Sequence, residues 1–290
     1  VQLRRPHWLK VQATWGENYR RIKSLLAKSN LHTVCEEANC PNICHCFEKG
    51  TATFLILGDV CTRGCTFCDL KRGRPVPVDQ GEPERVAEVV RTLKLQYAVI
   101  TSVTRDDLDD GGASIFARII NEIKSSIASC RVEVLIPDFG GSFQSLKTVV
   151  EAKPDVLNHN LETVERLYPK VRKGADYGRS LELLQNVKRV DRSMVSKSGM
   201  MVGLGENWEE ILELMRDLRS VDCDLLTIGQ YLSPSEDHIP IAKFYHPDEF
   251  AKLKVIGEEM GFAHVESGPL VRSSYHAKEQ VEYLNTLAEV

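Results

Sequence analysis

The chain has 290 residues, 42% hydrophobic and 27% charged, the composition of a soluble globular protein. Its net charge of −4 gives no basic footprint for nucleic acid as a principal partner. No apolar run approaches the ~20 residues of a membrane-spanning helix, so no membrane segment is expected, and the length suits one large α/β barrel or two ordinary domains.

The start, Val1-Gln2-Leu3-Arg4-Arg5-Pro6, is basic, but no signal-peptide core follows it, and without a Met it reads as trimmed. Trp8, Val11, Trp15, Tyr19, Ile22 and Leu26 recur at three- and four-residue steps, which predicts an amphipathic helix over about 17–29. Arg20, Arg21, Lys23 and Lys28 form its solvated face. A loop rich in Cys, Asn and Pro is expected from Cys35 to Cys46.

From residue 51 strand-like and helix-like segments alternate. Strands are predicted at 53–58, Tyr97–Val103, Val132–Pro137, Val156–Asn160, Met194–Gly203 and Leu225–Leu232. Helices are predicted at Pro83–Leu95, Ser114–Ala128, Phe143–Ala152, Gly178–Val190, Glu209–Ser220 and Pro247–Met260. Ser142 and Asn207 stand at N-cap positions and Gly261 at a C-cap position, with a last short strand at His264-Val265. Six β–α units in series read as a parallel sheet, either an open doubly wound sheet or a partial barrel. In both, ligands gather at the C-terminal ends of the strands. The polar stretches after the strands would then face one mouth.

Seven of the nine cysteines fall between Cys35 and Cys68, and such clustering favours metal over disulfides. Cys130 and Cys223 border predicted strands and read as small core residues. Cys61, Cys65 and Cys68 are spaced C-x₃-C-x₂-C directly after the first apolar strand. Three thiolates on one loop suit a zinc site completed by a distant ligand, or an iron–sulfur cluster with one iron left open. Structural zinc more often uses C-x₂-C pairs. The C-x₃-C-x-aromatic-C pattern after the first strand of a β/α series resembles the radical S-adenosylmethionine superfamily. That resemblance implies that the methionyl amine and carboxylate of S-adenosylmethionine bind the open iron, and that reductive cleavage yields a radical able to take hydrogen from an unactivated carbon.

A second triad, Cys35-x₄-Cys40-x₅-Cys46, precedes the first, and Arg272-Ser273-Ser274-Tyr275-His276-Ala277 lies near the C-terminus. Alone, the triad would pass for loop thiols or a zinc knuckle and the serine pair for a turn. Together with Cys35–Asn42, Ser102–Gly112, Asn158–Thr163, Lys197–Glu206 and Gln230–Leu232, they resemble the lipoyl synthase family over nearly the whole chain. The resemblance implies a partial (β/α)₆ TIM-like barrel at 51–266. An N-terminal helical and loop extension (1–50) and a C-terminal tail (267–290) would carry the ligands of an auxiliary cluster. It implies two [4Fe–4S] clusters, one held by Cys61, Cys65 and Cys68, the other by Cys35, Cys40, Cys46 and, by position, Ser274, with Ser273 the alternative. The auxiliary cluster would be the sulfur donor, consumed as two sulfurs enter C6 and C8 of an octanoyl-lysine chain, with two S-adenosylmethionine molecules cleaved.

The implied partners are an octanoylated lipoyl carrier domain or H-protein, reduced ferredoxin or flavodoxin as electron donor, and an iron–sulfur carrier for cluster repair. A cytoplasmic monomer is expected. Thr101, Ser102, Asn158, Asn160, Glu162 and Ser198 at strand ends, and the backbone of Phe67, are candidates to bind S-adenosylmethionine; each also suits a loop cap or supporting hydrogen bond. His159 reads as a hydrogen-bonding group rather than a ligand. Asp106, Asp107, Asp109 and Asp110 lack the order of an EF-hand. Lys71, Arg72 and Arg74 suit either an acidic carrier surface or solvent. The chain departs from the family at Cys44-His45-Cys46 and Phe47, where one cysteine with an acidic residue, and a Trp, are more usual. Cys44 reads as a bystander, an alternative ligand or a thiol that captures a labilised cluster. Two other classes carry similar cysteines: a two-cluster electron carrier, which needs no β/α scaffold with strand-end polar motifs, and another radical enzyme such as a methylthiotransferase.

Overall fold

The computed structural model describes residues 4–11, 16–49 and 51–281. Trp15 of the periodic pattern and the tail from 282 lie outside them. The chain divides into two compact units, one of Val11–Gly64 and Asp69–Leu157, the other of Val1–Lys10, Cys65–Cys68 and Asn158–Val290.

The first unit opens with α1 (Glu17–Lys28), β1 (His32–Thr33), α2 (Val34–Glu37) and α3 (Ile43–Glu48). Then come β2 (Thr53–Ile56), β3 (Val60–Cys61), β4 (Lys71–Arg72), α4 (Glu82–Leu93), β5 (Tyr97–Ser102), α5 (Ala113–Ser126), β6 (Arg131–Leu135), α6 (Phe143–Glu151) and β7 (Val156–Asn158). The strand order is β1-β2-β5-β6-β7, with β3 and β4 forming a separate ladder. β2, β5 and β6 are parallel, Phe54 opposite Ile100 and Ile100 opposite Val134, while β1 covers the β2 edge antiparallel. Every residue of β2 is buried, as expected of parallel strands covered on both faces. α5 buries Ile115, Phe116, Ile119, Ile120 and Ile123, one apolar stripe at helical spacing. Its start requires Gly112, at φ +91°, because a Cβ there would meet the Leu57 side chain at 2.2 Å.

The second unit contains α7 (Tyr168–Val171), α8 (Tyr177–Val190), β8 (Val195–Val202), α9 (Trp208–Ser220), β9 (Leu225–Gln230), α10 (Pro247–Glu259) and β10 (His264–Gly268). β8, β9 and β10 are parallel, Met200 opposite Ile228 and Leu226 opposite Val265. Leu184, Ile211, Leu214, Met215 and Leu218 bury one side of α8 and α9 in the same core as Leu226, Ile228 and Val265. Asn207 closes a capping box with Glu210 at the start of α9. α10 stops at Gly261, where Gly261 N bonds Glu258 O and Phe262 N bonds Gly257 O, the paired bonds of a Schellman end.

Helices follow the successive main strands, and within each unit the strands keep chain order, the connectivity of a partial (β/α)₆ barrel. The predicted helices and the six main strands lie within two residues of their expected bounds. The expected loop from Cys35 to Cys46 instead contains α2 and α3. Their four and six residues are too short to show a 3.6-residue period.

Candidate cluster-binding sites

In the first unit, Cys35 lies in α2, Cys46 in α3 and Cys40 on the turn between. Cys40 N donates to Cys35 O at 3.1 Å, Ile43 N to Cys40 O at 3.1 Å and Cys46 N to Asn42 O at 2.9 Å. Asn39, at φ 46°, turns the chain between them, and its Nδ2 donates to Asp69 Oδ2 at 2.6 Å. Burial pushes the Cys35 thiol up to about 12, and the charges of Cys40 and Cys46 add to it. A thiol buried in this way ionises only beside compensating positive charge, of the kind a bound metal would supply. Cys44 is 5% exposed and belongs to the core, whereas Cys46, two residues on, is half-buried. Burial alone does not set Cys44 apart, because Cys35 of the triad is buried as well.

Cys61 ends β3, which pairs with β4; Gly73 N donates to Cys61 O at 3.1 Å. Arg63 N approaches Cys61 Sγ at 3.4 Å. The Arg63 guanidinium grips Asp106 at 2.8 and 2.7 Å and Asp138 at 2.7 Å. Burial pulls the Arg63 pKa down, but the two carboxylates outweigh it and hold the guanidinium charged. The rest of the acidic run is also structural. Asp107 pairs with Arg105 through two bonds of 2.8 Å, and Asp110 accepts from Gly112 N and Ser114 N, both at 2.8 Å, at the start of α5. Thr101 Oγ1 donates to Leu135 O at 2.9 Å. Ser102 Oγ is buried with no partner among the described residues. Of the basic residues after the loop, Lys71 is paired with Asp59.

Cys65 and Cys68 belong to the second unit, where a set of backbone bonds holds their loop. Thr66 N donates to Val171 O at 3.0 Å, Ile239 N to Thr66 O at 3.1 Å and Cys68 N to Cys65 O at 3.3 Å. Thr66 Oγ1 donates to Lys170 O at 3.0 Å, and His238 Nε2 donates to Cys68 O at 3.2 Å. Phe67 packs against the core. Arg172 bonds Tyr168 Oη at 2.9 Å and Ser180 Oγ at 3.2 Å. Burial pulls its pKa down, while Tyr168, Glu162 and Cys65 raise it, so a permanent cation stands near Cys65.

The Asn158–Glu162 stretch runs along β8. His159 N bonds Lys197 O at 3.0 Å, Glu162 N bonds Gly199 O at 2.9 Å and Met201 N bonds Glu162 O at 2.8 Å. Asn158, His159 and Ser198 are fully buried, and Ser198 Oγ accepts from Leu161 N at 3.3 Å. Asn160 Nδ2 donates to Glu162 Oε1 at 2.9 Å and to Ser273 Oγ at 2.6 Å. Burial raises the Glu162 carboxyl, opposed by Arg172, Asn160 and Arg272. Asn160 Oδ1 and Thr163 Oγ1 are buried with no partner among the described residues. The tail bearing Ser273 and Ser274 reaches this strand end because Gly229 lacks a side chain: a Cβ there would lie 2.1 Å from Val271 O.

Asn160, Glu162 and Ser198 are therefore joined at one strand end, with Asn158 buried just before them. Arg63 and Arg172 were missed as site residues, although Arg63, a cation inside the C-x₃-C loop, carried a visible signal, while Ser273 was named only as an alternative ligand. Among the described residues, no three His, Cys, Asp or Glu side chains converge to hold a single metal ion. A zinc ion needs donors at about 2.0–2.3 Å, while a [4Fe–4S] cluster takes each thiolate on a separate iron. Two sets of three thiols, all half-buried except the buried, raised Cys35, and unsatisfied oxygens at the strand ends fit clusters and a polar cosubstrate.

Residues 55–218 match the family model of the radical SAM superfamily, and residues 1–40 match that of the N-terminal domain of lipoyl synthase of the radical SAM family. A lipoyl synthase of Rubrobacter xylanophilus is 58% identical over 96% of this chain and 87% of its own. One of Caldicellulosiruptor saccharolyticus is 54% identical over 98% of this chain and 100% of its own. Among solved structures, the FeFe-hydrogenase maturase HydG from Carboxydothermus hydrogenoformans superposes with a TM-score of 0.61 at 15% identity, over 79% of this chain and 56% of that one. Methylornithine synthase does so with a TM-score of 0.53 at 16% identity, over 86% and 73%. At so low an identity these two share the fold alone. With both cysteine triads in place and more than half its residues in common with such relatives from end to end, the chain belongs to the lipoyl synthase family of radical SAM enzymes.

Proposed function

We infer that this enzyme inserts sulfur at C6 and C8 of an octanoyl chain carried on a lysine of a carrier protein, forming the lipoyl group. The carrying observation is the 58% identity to a lipoyl synthase over nearly the whole chain, in a sequence that keeps both triads. Saturated C–H bonds offer no acid–base handle, so the reaction needs a radical route. A [4Fe–4S] cluster with S-adenosylmethionine supplies, when bound, a carbon radical able to take hydrogen from such a bond.

The residues divide the work. Cys61, Cys65 and Cys68 hold three irons and leave the fourth to the cosubstrate. Arg172 offsets thiolate charge at Cys65. Asn158, Asn160, Glu162 and Ser198, with Thr101, Ser102 and the Phe67 backbone, bind and orient the cosubstrate. The second cluster is a substrate, spent as sulfur donor, and Cys35, Cys40, Cys46 and Ser274 hold it until then. The bond from Asn160 to Ser273 supports Ser274 rather than Ser273 as the ligand. In this reading residues 1–50 and 267–290 serve the auxiliary cluster and 51–266 the radical chemistry.

The enzyme acts on a lipoyl carrier substrate and takes up electrons. The specific partners we propose are an octanoylated lipoyl domain or H-protein, reduced ferredoxin or flavodoxin, and an iron–sulfur carrier that rebuilds the spent cluster. No helix among the described residues is long and apolar enough to cross a membrane; a cytoplasmic monomer is the setting proposed. The test is anaerobic reconstitution with iron and sulfide counting, then incubation with dithionite, S-adenosylmethionine and an octanoyl-lysine peptide. About eight irons per chain and lipoyl product are expected. About four irons, or 5′-deoxyadenosine without sulfur transfer, would overturn the reading.

A further inference from the structure

We propose that Ser273 is a positioning residue that couples the cosubstrate pocket to the serine ligand beside it; this rests on the reading that Ser274 holds the auxiliary cluster. Asn160 is the shared point. Its Nδ2 faces the Glu162 carboxylate at 2.9 Å, which fixes the orientation of the amide, since an amide oxygen has no reason to face a carboxylate. The same Nδ2 donates to Ser273 Oγ at 2.6 Å. The other amide atom, Oδ1, is buried with no partner among the described residues.

That oxygen lies close over Gly199, where the missing side chain lets polar groups pack tightly. A Cβ added at Gly199 would stand 2.6 Å from Thr227 Oγ1, 2.8 Å from Asn160 Oδ1 and 3.1 Å from Ser273 Oγ. Three oxygens from β9, the strand-end loop and the tail thus converge where residue 199 has no side chain. A hydroxyl or ammonium donor of the cosubstrate that reaches Asn160 Oδ1 would satisfy it and hold the amide still. Holding the amide fixes Ser273. The tail is already pinned on one side of it, at Val271 against Gly229, and on the other, where His276 Nδ1 meets Glu266 Oε1 at 3.4 Å. Ser274 follows Ser273 across one planar peptide, so a shift in one carries to the other. Linkage makes the effect reciprocal: a seated Ser274 tightens cosubstrate binding by the factor with which cosubstrate seats Ser274.

The experiment measures S-adenosylmethionine affinity by equilibrium dialysis on reconstituted enzyme, with the auxiliary triad intact and in C35A/C40A/C46A, in wild-type, S273A and S273T backgrounds. In wild type the intact form should bind more tightly, by about five-fold, the worth of one neutral hydrogen bond. S273A should erase that difference while keeping the iron content of wild type, and S273T, which keeps the hydroxyl, should restore it. Equal coupling in S273A and wild type, or none in wild type, would overturn the proposal. So would a loss of auxiliary iron in S273A that Ser274→Ala does not cause, since Ser273 would then be the ligand. If C35A/C40A/C46A keeps the wild-type iron content, the functional reading falls first and takes this proposal with it.

Discussion

The proposed place of Ser274 among cysteine ligands has a chemical consequence. Its oxygen is a harder donor than thiolate and holds iron less firmly once sulfide is withdrawn. Ser274→Cys is therefore expected to assemble both clusters, with iron content unchanged, yet lose sulfur insertion; full lipoyl formation in that variant would refute the role. Cys44 and Cys46 make a sharper pair. Cys44 is buried in the core and Cys46 is half-buried beside the charges of Cys35. Cys44→Ala should keep about eight irons, while Cys46→Ala should lose about four, both read by iron analysis after reconstitution. At this scale the triads were legible because ligand spacing is a local property of sequence. The choice between Cys44 and Cys46 rests on spacing, which favours Cys46, since burial groups Cys44 with Cys35. Arg172 was not legible as a site residue, and of Arg63 only its place in the loop was, because it meets Asp106 and Asp138 across 43 and 75 residues, and no local pattern records such a pairing.

Among elements, the tail depends most on a single position. Gly229 sits within β9, and its missing Cβ lets Val271 lie against the strand. Gly229→Ala would push the tail off by crowding that costs about 1–3 kcal/mol, roughly a ten-fold shift or more in the seated population. Sulfur insertion should fall by that factor while 5′-deoxyadenosine formation persists, both measured on one reaction mixture; unchanged lipoyl yield would contradict the tail's role. The main strands were readable because buried parallel strands are unbroken apolar runs, as β2 and β5 are. β1, β3 and β4 have two residues each, too few for any period, and two of them shape the loop around Cys61.

Across the whole molecule, the N-terminal extension is part of the first unit's framework. α1 and α3 bury Tyr19, Ile22, Leu26 and Phe47, β1 covers the edge of β2, and Arg85 Nε bonds Ser29 O at 2.9 Å. Burying such side chains stabilises by about 1.5–3 kcal/mol each, a sum comparable with the ~5–15 kcal/mol of a typical domain. Deleting residues 1–50 should give aggregated chain by size exclusion rather than a folded barrel with one cluster; a monomeric, cooperatively melting product would show the extension to be dispensable. The bonds from Cys65–Cys68 to Lys170–Val171 and His238–Ile239 also set a timetable. Roughly 170 more residues must leave the ribosome before that loop has its last partner, about ten to thirty seconds at ordinary synthesis rates. For that interval the thiols have no frame to close around iron. On the proposed cluster reading, loading would come late in synthesis or after it, and the newborn chain would depend on a reducing surrounding to reach it with its sulfurs unspent.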